Sequence, residues 1–101
     1  MYLNVDTTPS EQRPTGLDIA QSARDIAAGI SSASEVRSEV VDGLLMHSFT
    51  FRNLQGVDSI DIFFEVDGDG YAVVAGSAND PDTAFATARL VALSIRSNPD
   101  Q

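Results

Sequence analysis

The sequence predicts an α+β domain: an N-terminal helix, a three- or four-stranded antiparallel meander and a C-terminal helix. Three observations carry this reading. An apolar stripe at helical spacing begins at residue 17, an alternating SIDIFFEV segment is followed by DGDG and YAVVAGS, and an Asp-Pro-Asp helix start stands at 80–82. Residues 16–101 are expected to form one domain. Residues 1–15 carry Pro9 and Pro14 among polar residues and read as a mobile tail, although Met1 to Val5 can add an edge strand.

In the first helix Ile19, Ala23, Ile26, Ile30 and Ala33 recur at steps of three and four, which places them on one face. Thr15 and Asp18 resemble a capping pair, while Gly29 and the serines at 31, 32 and 34 weaken the helix toward its end. Residues 33–41 support two readings. Asp42-Gly43 between β-branched and aromatic runs favours a hairpin, with 33–41 as its first strand. Ser32 with Glu35 would instead cap a short second helix.

The next strand is unambiguous. Ile60, Ile62, Phe64 and Val66 share one face, and Ser59, Asp61, Phe63 and Glu65 share the other. Asp67 to Gly70 then turns the chain through a two- or four-residue loop, expected to set Val66 opposite Tyr71, Phe64 opposite Val73 and Phe63 opposite Val74. In the last helix Asp80 is the N-cap, Pro81 the first helical residue and Asp82 a favourable charge at the positive end of the macrodipole; Asn98-Pro99 closes it. Ala84, Phe85, Ala88, Val91, Ala92 and Ile95 make its broad apolar face. Ala86, Leu90 and Leu93 make a smaller second patch, read as an oligomer interface.

The 101 residues carry 15 carboxylates against six cationic side chains, all arginine, for a net charge of -9. Such a chain repels nucleic acid and anionic membranes, so neither is expected as a direct partner. Absence of cysteine excludes disulfides and thiolate metal sites, and one histidine, His47, cannot supply a two-histidine metal site. His47 reads as a buried or half-buried imidazole satisfied by a neighbour. Counting a calcium loop from Glu65 puts Gly76 where a bidentate glutamate belongs, which excludes an EF-hand. No nucleophile elbow, phosphate loop or dinucleotide fingerprint occurs, so no catalytic residue, metal or cofactor is assigned. No secretion signal or 18-residue apolar run is visible, and a cytoplasmic protein is expected.

Seven carboxylates and no base lie within residues 58–82, so that window holds -7 of the net charge. In the expected register Asp58, Asp61, Glu65, Asp67 and Asp69 surround Phe63 and Val74 on the outer sheet face. An apolar centre with an acidic rim has the anatomy of an interface. These seven residues are therefore the expected partner-binding site. The function they imply is a small non-catalytic interaction or regulatory module that takes a basic protein partner, or a second copy of itself as a homodimer. Two alternatives stand beside it: an acidic mimic of nucleic acid that inhibits a nucleic-acid-binding protein, and an enzyme built around His47. A competing reading of Phe63 buries it in an ordinary core, with one helix on each sheet face.

Overall fold

The central strand of the sheet is apolar on both faces and therefore has to be covered twice. In the computed structural model, which describes residues 1–8, 19–66 and 68–97, it is. The elements run β1 (Tyr2–Thr8), α1 (Ile19–Ala28), β2 (Arg37–Val41), β3 (Leu44–Arg52), β4 (Asp58–Val66), β5 (Asp69–Gly76) and α2 (Pro81–Ser97). All five strands form one antiparallel sheet in the order β1-β5-β4-β3-β2. The class is α+β as expected, but with five strands, and a strand rather than a helix comes first. Over Tyr2–Thr8 the expected tail is instead an edge strand paired with β5; the rest of that tail, and the Thr15–Asp18 cap, lie outside the described residues.

The meander follows local turn chemistry. Asp42 and Gly43 have φ of 49° and 83°, the two positive values a tight two-residue hairpin turn requires, and the pairing of β2 with β3 decides 37–41 as strand. The β4–β5 turn takes the two-residue form of the two expected, and the register differs from the expected one. Val66 faces Asp69, leaving two residues between the strands, with Gly68 at φ 87°. Each partner assignment therefore moves by two residues: Phe64 faces Tyr71, Phe63 faces Ala72 and Asp61 faces Val74. A shift of two preserves side-chain parity, so the face assignments stand.

Helix α2 packs its fully buried Ala84, Ala88 and Ala92 against Ile60, Ile62, Phe64, Val73 and Met46. Methyl side chains at steps of four let the helix approach the sheet closely, and the strands supply the bulk. The helix start is capped as read: Asp80 Oδ1 accepts the Thr83 amide at 3.2 Å and Oδ2 accepts the Thr83 hydroxyl at 2.6 Å. Those two bonds hold the Asp80 carboxyl below the ordinary carboxylate range.

On the other face α1 sets Ala23 against Phe49 and Phe63, with Ile19, Ala27, Ile30 and Ala33 alongside. The helix stops at Ala28, and Ile30 and Ala33 reach the same core from the turns that follow. Ile26, expected on the buried stripe, is 46% exposed.

The edge strand β1 is held by a joint around Gly76. Tyr2 lies directly opposite Gly76 and its phenol is hydrogen-bonded, at 2.6 Å, to the buried Ser59 hydroxyl on β4. An added Cβ at Gly76 would crowd the Ser59 hydroxyl, sit 2.6 Å from Tyr2 Cε1 and 2.9 Å from the Asp58 carbonyl. The Tyr2 ring thus occupies space that only glycine leaves open. Gly76→Ala should cost about 1–3 kcal/mol in chemical denaturation, the usual penalty of overpacking. Tyr2→Phe, which loses only the hydrogen bond, should cost about 1 kcal/mol.

Candidate partner-binding surface

The expected site is not assembled as one surface. Phe63, its proposed centre, is 4% exposed and lies beneath α1, stacked at 6.1 Å on Phe49. The physical reason is the α1 stripe, whose apolar residues need a sheet face and take this one. Val74 is half-buried beside it.

The acidic residues separate as well. Asp58 lies at the start of β4, near Ser77 and the Asp80 and Asp82 end of α2; Glu65 and Asp69 lie at the β4–β5 turn. Seven residues of strand put Asp58 and Glu65 about 24 Å apart. Asp67 lies outside the described residues. Asp58 is also neutralised from the neighbouring strand, where its direct partner Arg52 places Nε 3.2 Å from Oδ1.

Asp61 is the chemically unusual member. Halfway along β4 it stands between Phe49 and Val74, and among the described residues its buried Oδ1 has no hydrogen-bond partner. Burial, and secondarily the Asp6 carboxylate across the β1–β5 side of the sheet, push its pKa up to about 6.

Of the second patch, Ala86 and Leu90 are exposed, Leu90 at 66%, whereas Leu93 packs inward against the α2 core. Only two of its three residues are thus available to a partner.

The open apolar surface stands elsewhere, on β2. That strand is a sheet edge, and four of its five residues are exposed. Val40 and Leu45 are direct cross-strand partners and remain 67% and 49% exposed. Their side of the sheet opens into a groove of about 510 Å³ whose lining includes Ile19, Ala20, Leu45, His47 and Glu65. His47 is buried at its floor, with Nδ1 hydrogen-bonded at 2.7 Å to the hydroxyl of Ser38, its direct partner on β2. Glu65 and the turn residue Gly43 line the groove, with Asp42 next to Gly43 in the same turn. Sequence reasoning missed this surface because VVDGLL reads as an ordinary hairpin; only the sheet order shows that no described strand pairs beyond β2.

Among the described residues no group of three or more metal-ligating side chains occurs, and no helix is long and apolar enough to cross a membrane. Comparison with protein-family models, curated proteins and solved structures finds no match to this chain.

Asp61 yields a pH prediction. Folding raises its pKa from an ordinary 3.8 to about 6. Below pH 3.8 both states are protonated and the site costs nothing; between 3.8 and 6 the native state binds more protons, so its stability falls as pH rises. Above pH 6 the full cost applies, at most about 3 kcal/mol and less because solvent reaches part of the carboxylate. Asp61→Asn should therefore raise the melting temperature at pH 7.5 and leave it nearly unchanged at pH 4. Equal shifts at both pH values would show that the carboxylate's ionisation is not the cause.

Proposed function

We propose that this domain is a small non-catalytic interaction module that takes an extended segment of a basic protein along its open β2 edge. The observation that supports it is the Val40–Leu45 pair. An exposed apolar pair on an unpaired edge is what sheets avoid unless something covers it. A strand added beside β2 would gain backbone hydrogen bonds, cover Val40 and direct side chains toward the groove. Asp42, Glu65 and the overall charge of -9 favour a lysine- or arginine-bearing partner. The acidic-rim idea thus survives at a different place, around Val40 and Leu45 rather than Phe63. The nucleic-acid mimic gains no comparable support, since the carboxylates of residues 58–82 fall in two separated groups with Asp61 between them.

A peptide of alternating lysine and valine, titrated into the full chain and followed by backbone amide shifts, tests the proposal. Shifts should concentrate at Arg37–Val41 and Leu45, weaken with added salt, and require about tenfold more peptide in Val40→Asp. Shifts spread elsewhere, or indifferent to Val40→Asp, would exclude this edge as the site. A doubled mass without peptide, reversed by the same substitution, would make a second copy the occupant.

A further inference from the structure

Three of the six arginines of this acidic chain line a cleft made of two adjoining pockets that share Thr50, along the flank of α2. Its wider end, about 430 Å³, is bordered by Arg52, Pro81 and Phe85; its narrower end, about 280 Å³, by Arg37, Arg89, Ser48 and Ile60; Thr50 belongs to both. The cleft exists because α2 packs over β4 and β5, leaving the β2–β3 side of that face uncovered.

Two of the three arginines are ion-paired within the cleft. Arg52 is paired with Asp58, and Arg89 Nε lies 3.7 Å from Glu39 Oε1. Arg37, directly opposite Ser48, has no ion pair or side-chain hydrogen bond among the described residues. Ser48 borders the cleft, and among the described residues its hydroxyl makes no hydrogen bond and is open to solvent there.

We infer that the narrow end of this cleft is a binding site for a small carboxylic acid, its carboxylate held by Arg37, Arg89 and Ser48 and its apolar body directed along Ile60 toward Phe85. Guanidinium forks match a carboxylate in two-point geometry, and the serine hydroxyl adds a third donor. Charge selects the class. Arg37 and Arg89 against Glu39 leave one net positive charge, which a monoanion neutralises, while a dianionic phosphate would add to the repulsion from an already acidic protein. Phe49 and Ile60 at the narrow end, and Pro81 and Phe85 at the wide end, give a hydrocarbon body something to touch among otherwise polar walls. This site lies across the sheet from Val40 and Leu45 and does not depend on the β2-edge proposal.

The experiment uses the full chain, with sodium benzoate, sodium hexanoate, inorganic phosphate and sodium chloride as probes at equal ionic strength, read by backbone amide and arginine side-chain shifts. Benzoate and hexanoate should give saturable shifts at Arg37, Ser48 and Arg89. Arg37→Gln should weaken them about tenfold or more, and Ser48→Ala should weaken them while melting no lower than the parent, because it removes an unpartnered hydroxyl. Shifts no larger than those with chloride, or unchanged in Arg37→Gln, overturn the site. Phosphate binding as tightly as benzoate overturns the carboxylic-acid assignment and leaves a bare oxyanion site. Val40→Asp should leave benzoate binding intact, which separates failure of this site from failure of the β2 edge.

Discussion

The structure depends on β4 being covered on both faces. A strand with Ile60, Ile62 and Phe64 on one side and Phe63 on the other cannot sit at a solvent surface, so each face requires a helix. Helix α2 supplies one cover with alanines and α1 supplies the other with Ala23 and its neighbours. That arrangement traps two polar residues on the α1 side of β4. Ser59 is satisfied by Tyr2, which docks β1 and extends the sheet. Asp61 has no comparable donor, and the same burial that stabilises Phe63 raises the proton affinity of this carboxylate.

Much of this was legible because it is local. Asp42-Gly43 specified a hairpin, Asp80-Pro81 a helix start, and the alternation through SIDIFFEV assigned every β4 side chain to the correct face. Features set by distant segments were not. Two or four turn residues at 67–70 preserve the same parity, so hydrophobic pattern could not choose the register. Strand β1 has only Leu3 and Val5 as apolar marks toward α2, both partly exposed, and its position comes from pairing with β5 and from the space above Gly76. Whether Phe63 was open or buried depended on where α1 lands, which no pattern within β4 encodes.

Charge shows the same division between chain and space. A window of residues 58–82 without a base looks like an acidic surface, but antiparallel pairing sets Arg52 directly against Asp58. Strand length puts Glu65 and Asp69 at the opposite end of the hairpin from Asp58, with Asp61 between. Arginines that look dispersed along the chain, at 37, 52 and 89, instead converge on one cleft because β2, β3 and α2 meet there. Linear charge density is therefore a poor guide to surface potential in a meander, where neighbouring strands come from different windows.

The two helices are offset across the sheet, and that offset locates what is left open. Helix α1 packs on β3 and β4, and α2 packs on β4 and β5. Neither takes β2 as its main seat. β2 consequently shows Val40 to solvent on the α1 face and Arg37 to the cleft on the α2 face, while its outer backbone edge pairs with no strand among the described residues. Alternation along Arg-Ser-Glu-Val-Val sends successive side chains to opposite faces, so this short strand borders an apolar edge and an arginine-lined cleft at once. A ligand in the cleft would hold Arg37, and a strand at the edge would hold the backbone that carries it. The two sites are on opposite faces but share one structural element, the least covered strand of the sheet.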